Sequence, residues 1–211
     1  MDTIIVGLAG KKHSGKDTAF EYLSNMNGIN PVRCAFADIL KNICILLFGF
    51  TNEQAFGDKK DELSQVEWKN IPQFIKDRYP NSSKNKYLTF REIYQIVGTD
   101  IFRLMFDNDI WVKALFRKIF IPGISFNSIV ITDVRFVNEL NAIKEHNGGV
   151  FNIIRPNLHE DDQHASETSL DGYSNWDGVI VNDSTIDDFG KKVQAVVGKW
   201  MLEKKIKLLG G

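Results

Sequence analysis

Cysteine is almost missing from this sequence: Cys34 and Cys44 are the only two in 211 residues. Their number and spacing exclude a disulfide framework and a C-x-x-C metal site, and point to reduced thiols. Four histidines, His13, His146, His159 and His164, form no His-Glu-x-x-His pattern, so a histidine metal centre is not expected. Excess positive charge is missing too. The formal net charge is -1, too little to gather nucleic acid in bulk, so a bound polyanion must be held by local groups. No long apolar run exists; Ile43 to Phe50 is far too short to span a bilayer. The chain passes from Met1-Asp2 into a strand-like run without a basic region or cleavage site. The expectation is a cytoplasmic protein with neither a membrane nor a nucleic acid as partner. Homodimer and monomer both stay open.

What is present suits one globular domain able to bury a full core. Hydrophobic residues make up 43% and charged residues 25%, ordinary for a folded protein and wrong for disorder. There is no internal repeat and no low-complexity tract. Thr3 to Ala9 is a continuous apolar and β-branched run, as in a strand buried on both faces. A Gly- and Lys-rich turn, a helix from about Asp17 to Met26, a short strand (Val32 to Ala37) and a helix (Ile39 to Phe48, ended by Gly49) follow. Asn52 to Lys86 is polar and punctuated by Pro72 and Pro80, and reads as an insertion with little core of its own. Helical periodicity runs from Thr89 to Phe120, broken near Gly98 and at Asp107 to Asp109. Further strands are predicted at Ser128 to Asp133, Val150 to Arg155 and Val179 to Val181, with helices at Phe136 to His146 and Ile186 to Leu208. Pro156 to Asp177 is polar and poorly periodic. The alternation predicts an α/β fold, a mostly parallel sheet flanked by helices, with ligands beyond the carboxyl ends of the strands.

Gly10 to Lys16 fits G-x-x-x-x-G-K, directly after a buried strand and directly before a helix. Glycines let the backbone wrap so that successive N–H groups and the helix N-terminus point at one anion. Gly10, His13, Ser14, Gly15, Lys16, Asp17 and Thr18 are therefore the candidate ATP-binding residues, with Lys16 reaching the β- and γ-phosphates. The position after the lysine, usually Ser or Thr for Mg²⁺, is Asp17 here, followed by Thr18. Asp17 can serve as a hard oxygen ligand or a base, or simply favour the helix N-terminus; Thr18 is an alternative ligand or cap.

From Gly10 to Thr18 the sequence resembles the bacteriophage deoxynucleoside monophosphate kinases. The likeness continues through Phe36-Ala37-x-x-Leu40-Lys41, Arg91-x-x-x-Gln95-x-x-Gly98-Thr99-Asp100, Trp111-Val112 and Thr132-Asp133-x-Arg135. It ends with Ile154-Arg155-Pro156, His164-x-Ser166-Glu167 and Asn182-Asp183, all in the family's order. The resemblance implies transfer of the γ-phosphoryl group of ATP, with Mg²⁺, to deoxynucleoside monophosphates for DNA precursor synthesis. It implies a P-loop kinase fold over residues 1–211, with an acceptor-binding lobe at about 50–120 and a lid at about 156–177. Lys12, Lys41, Arg91, Gln95, Gly98, Thr99 and Trp111 fall at positions that hold the deoxynucleotide.

The residue chemistry is compatible. Arg91 and Gln95 stand four apart on a predicted helix and share a face, a guanidinium for a phosphate and an amide for a base edge. Trp111 is either a stacking plate or a core residue, and Arg91 either a phosphate ligand or half of a surface ion pair. Lys16, Arg135 and Arg155 are candidates for stabilising the transferring phosphoryl group. Asp133 either orients the metal or Arg135, or caps the next helix. Asn182 and Asp183 either border the adenine or form a turn and cap, and His164 to Glu167 either close the lid or form a solvated loop. The lysines of the last helix read as a solvated face. Asp133 is followed by Val134, not glutamate, and no N-K-x-D signature occurs, which favours a transferase over a hydrolase. Two rivals stay open: a dephospho-coenzyme A or phosphomevalonate type of kinase, and an ATP-binding regulatory module that transfers nothing.

Overall fold

The computed structural model describes residues 3–79, 85–156, 158 and 164–209. They form two compact units, one from residues before Ala37 and after Trp111, the other Ala37–Trp111. Among the described residues no helix is long and apolar enough to cross a membrane.

The first unit is built on five parallel strands. They are β1 (Ile4–Ala9), β2 (Val32–Cys34), β5 (Ser128–Val134), β6 (Gly149–Ile154) and β7 (Gly178–Val181), in the order β2-β5-β1-β6-β7. Every residue of β1 is buried, because the central strand of a sheet covered on both faces meets water on neither. Against one face pack α1 (Lys16–Ser24), α9 (Ile186–Val193) and α10 (Lys199–Leu209). They enclose Val6, Leu8, Ala19, Leu23, Phe151, Phe189, Val193 and Met201. A fully buried side chain of the size of Phe151 contributes about 1.5–3 kcal/mol by leaving water. On the other side of the sheet α7 (Val137–Glu145) brings Ile143 against Gly7. The closing helix predicted as one piece runs unbroken from Ile186 to Leu209, with a π-helical stretch, Gln194–Gly198, joining α9 to α10.

One irregularity bears on function. Gly7 pairs with Ile131 but Ala9 with Val134, so β5 takes one residue step more than β1 at its carboxyl end. Such a bulge re-aims side chains, and Asp133 lies in it. Cys34 and Cys44 are buried and in no disulfide, and burial pushes the Cys44 thiol up to about 12.

The second unit has more structure than its sequence suggests. After α2 (Ala37–Phe48) come α3 (Asn52–Ala55), α4 (Gln73–Lys76) and an antiparallel pair, β3 (Leu63–Glu67) with β4 (Tyr87–Thr89). Among the described residues from Asn52 to Lys86 the buried apolar side chains are Ala55 and Ile75, so what the sequence does not announce here is regular structure and not a core. Ala55, Ile75 and Leu88 are buried, and just before them Phe50 meets Phe90 edge-on at 4.7 Å. These apolar residues are too far apart in sequence to give a period. Short helices are held by caps: Thr51 and Gln54 exchange hydrogen bonds at the start of α3 (3.3 and 2.9 Å), and Thr89 and Glu92 do so at α5 (Phe90–Gln95; 3.1 and 2.7 Å). The predicted break near Gly98 is a change of winding, since α5 runs into a π-helix, Ile96–Phe106. The boundary after Trp111 falls inside α6 (Ile110–Ile119).

Candidate active site

The turn after β1 has the backbone that an anion-binding loop needs. Gly10 and Gly15 have φ of 141° and 111°, and His13 also has positive φ, at 59°. A Cβ on Gly10 would lie 2.4 Å from the Ile153 carbonyl oxygen, and one on Gly15 would lie 2.7 Å from Asn182 Nδ2. Both positions therefore exclude a side chain. The Lys16 ammonium donates to the Gly10 and Lys11 carbonyls at 2.7 and 2.6 Å and lies 3.5 Å from Ser14 Oγ. Burial, seconded by the nearby Arg135 charge, lowers the Lys16 pKa to about 8, against the pull of Glu167, Asp17 and Asp133. Ser14 is buried and Lys12 half-buried.

Neighbouring loops brace this turn. Asn182 Nδ2 donates to the Ser14 carbonyl at 2.9 Å, and Arg155 Nη1 to the His13 carbonyl at 3.3 Å. Asp183 is ion-paired with Lys192, which holds its carboxyl below the usual carboxylate range. Asp133 Oδ1 accepts the Phe36 N–H at 2.8 Å, tying the end of β5 to the chain two residues past β2. Arg135 is ion-paired with Glu167, and its Nη1 also donates to the Ser166 carbonyl at 3.1 Å. The buried Glu139 accepts the backbone N–H groups of Arg135 and Phe136 at 2.8 and 3.1 Å, setting the corner from which Arg135 projects. Asp17 has an open carboxylate, 84% exposed and 3.7 Å from Arg33, while Thr18 is half-buried.

In the Ala37–Trp111 unit, Arg91 and Gln95 stand on α5 as expected, both half-buried. Arg91 is forked onto Asp61 (Nε 2.5 Å, Nη2 3.2 Å), the ion-pair alternative raised by the sequence. Lys41 lies over the Phe56 ring at 5.0 Å. Gly98 and Thr99 are buried in the π-helix. Trp111 calls for a correction. It is only 4% exposed, its indole N–H donates to the Gly98 carbonyl at 2.9 Å, and Phe102 meets it edge-on at 5.3 Å. A ring so enclosed is packed as the core alternative has it, not presented as an open stacking plate.

Several groups had no individual signal in the sequence. Lys11 donates to the Glu167 carbonyl and pairs with Asp171; Asp100, buried, takes Arg78 at 2.7 Å and the Tyr79 hydroxyl at 2.6 Å. Glu167 and Asp100 stood out only as members of family blocks, and Lys11 and Glu139 not at all. Part of the predicted lid, residues 157 and 159–163, lies outside the described residues; that stretch includes His159. The rest, Ala165–Thr168 (α8) onward, lines a cavity of about 240 Å³ with Gly10, Lys11, Arg135, Asn152, Glu167 and Trp176.

The profile of a family described as deoxynucleotide monophosphate kinase matches residues 35–193. A provisionally named deoxynucleotide monophosphate kinase of Acanthamoeba polyphaga mimivirus is 34% identical over 208 residues, covering 92% of this chain and 96% of that protein. The deoxynucleotide monophosphate kinase of Escherichia phage RB69 is 29% identical over 115 residues, 54% of this chain and 46% of that enzyme. A dephospho-CoA kinase structure from Campylobacter jejuni aligns with a TM-score of 0.40 at 14% identity, covering 94% of this chain and 98% of that one.

Proposed function

The chain belongs to the deoxynucleotide monophosphate kinase family, and from that premise we propose that it transfers the γ-phosphoryl group of ATP to deoxynucleoside monophosphates, giving diphosphates and ADP. The observation that carries this reading within the molecule is the phosphate loop. Its two side-chain-excluding glycines and the buried Lys16 stand beside Arg135 at one sheet edge.

Phosphoryl transfer passes through a loose transition state, so the protein contributes position and charge more than bonds. Loop N–H groups and the α1 N-terminus hold the β- and γ-phosphates, and Lys16 follows the charge as it moves to the leaving oxygen. Arg135 and Arg155 balance the remaining phosphate charge. Asp133, bonded to the Phe36 N–H, is a positioning residue. Arg91 holds the acceptor phosphate and Gln95 meets the base edge, with Lys12 and Lys41 as further cations. Asn182 and Asp183 border the adenine end of the donor, Asn182 also bracing the loop.

The residues fit a magnesium ion delivered with the polyphosphate. Among the described residues no three His, Cys, Asp or Glu side chains converge as a ready-made cage. Mg²⁺ on a nucleotide keeps most of its waters and needs only one or two protein oxygens. Asp17, with its open carboxylate beside the loop, and Thr18 would hold it, and the ion would neutralise phosphate charge. From residue 164 onward the polar segment serves as a lid that excludes water from the γ-phosphate.

The test is ADP release measured with every deoxy- and ribonucleoside monophosphate. Turnover with deoxyribonucleotides, exceeding that with their ribo counterparts, is expected. Turnover with dephospho-coenzyme A or phosphomevalonate alone would move the chain to another kinase class. ATP binding without turnover on any acceptor would make it a regulatory module.

A further inference from the structure

Two carboxylates of the 164–176 segment meet the cations at the phosphate edge. Glu167 is ion-paired with Arg135, and Asp171 with Lys11, whose ammonium also reaches the Glu167 carbonyl. The Glu167 field reaches Lys16 as well, where among the neighbouring carboxylates it does most to favour the ammonium. One acidic side chain is thus set among the cations assigned to phosphate.

Its satisfaction is lopsided. The Glu167 side chain is 6% exposed; one oxygen is held by Arg135, while Oε2 is buried with no hydrogen-bond partner. A pair kept for stability alone would have both oxygens bonded, because a buried unpartnered carboxylate oxygen is costly. A carboxylate in an arginine fork presents the same two-oxygen edge as a phosphate, and a phosphate has a further oxygen for the neighbouring lysines.

We propose that Glu167 is a positioning residue that stands in for a phosphate, keeping Arg135 aimed into the site until polyphosphate displaces it, and that Lys11, held by Asp171, is a second cation released to the same anion. The inference rests on the kinase reading of this site and adds a specific exchange. The incoming phosphate takes the guanidinium from Glu167, and the 164–176 segment answers to phosphate occupancy through that contact. Asp171 is 56% exposed, so its hold on Lys11 is screened and weaker.

The experiment is calorimetric titration of inorganic pyrophosphate into the full chain, which needs no turnover. Glu167→Gln keeps the shape and removes the competing charge, and should tighten pyrophosphate binding about tenfold, or ~1.4 kcal/mol. Arg135→Met should weaken binding and abolish the gain when combined with Glu167→Gln, since both act through one contact. Asp171→Asn should tighten binding about twofold. Affinity unchanged or weakened in a folded Glu167→Gln chain overturns the proposal. If that variant does not fold, judged by circular dichroism, the exposed Asp171→Asn decides, and unchanged affinity overturns it. A wild type that binds pyrophosphate and shows the exchange, yet phosphorylates no nucleotide, would sink the functional reading and leave this one standing.

Discussion

Two arginines assigned to phosphate lie in different units, and each is ion-paired with a carboxylate. Arg135 meets Glu167 on a side chain only 6% exposed, whereas Arg91 meets Asp61 on one that is 61% exposed. The buried pair is costly to break and costly to leave half-satisfied, so exchanging its partner is a discrete event. The exposed pair lies in water, is worth at most about 1 kcal/mol, and yields its arginine to any stronger anion. The surrounding architecture differs in the same sense. Around Arg135 the groups proposed for the anion are backbone N–H donors of a wound loop on a buried strand; in the Ala37–Trp111 unit they are side chains on α5. A donor common to many kinases can be held by backbone, while an acceptor must be recognised by side chains.

The comparison can be broken most severely at Trp111. Trp111→Ala should cost about 3–5 kcal/mol of stability, as for other large buried aromatics. Trp111→Phe should cost far less and leave base preference unchanged. Thermal melts beside acceptor kinetics decide; a change of base preference in a stable Trp111→Phe chain would restore a stacking role.

Next in size is Lys16→Ala, which should lower turnover about 10²–10³-fold, the effect of losing one preorganised transition-state donor, with the fold kept. Its pH signature has two opposite signs. Held at about 8 instead of 10.5, Lys16 loses its charge as pH rises through about 8, so kcat/KM, which reports free enzyme, should decline there. Between about 8 and 10.5 the unfolded chain carries a proton on Lys16 that the folded chain does not. The pKa is depressed by folding, so raising pH through this window adds stability. Denaturant titrations at several pH values should show that gain in wild type and lack it in Lys16→Met.

Arg91→Ala should raise the acceptor KM about tenfold, ~1.4 kcal/mol, and lower kcat, while sparing the KM for ATP. Steady-state kinetics check this, and a rise in the ATP KM alone would assign Arg91 to the donor. Asp61→Asn should leave the acceptor KM within about twofold, since an exposed pair contributes so little. The smallest change is expected of Asp17→Asn, a modest rise in the Mg²⁺ concentration that supports half-maximal activity. Unchanged magnesium dependence with a slight stability loss would leave Asp17 as a helix-end charge.

Much of the first unit was legible because its signals are local. A run such as Ile4–Ala9, short, apolar and rich in β-branched residues, reads as a strand buried on both faces, and glycines at Gly10 and Gly15 announce a backbone no other residue adopts there without strain. The five-strand parallel sheet and the loop after its central strand follow from that pattern. The second unit is harder to read from Asn52 to Lys86, because α3, α4 and β3 are runs of four or five residues that leave no period in a polar sequence. The same holds for side chains whose role depends on a neighbour. A tryptophan can stack or pack, and only the carbonyl of Gly98 and the ring of Phe102 made Trp111 a packing residue.

By itself the sequence determined the parallel α/β order, the phosphate loop and the family, because strand burial, glycine torsions and ordered motif blocks are written in adjacent residues. Only the tertiary structure decided which charges meet. Lys11 with Asp171 and Arg135 with Glu167 lie 160 and 32 residues apart, and charge pairing depends on distance in space, which no local pattern encodes.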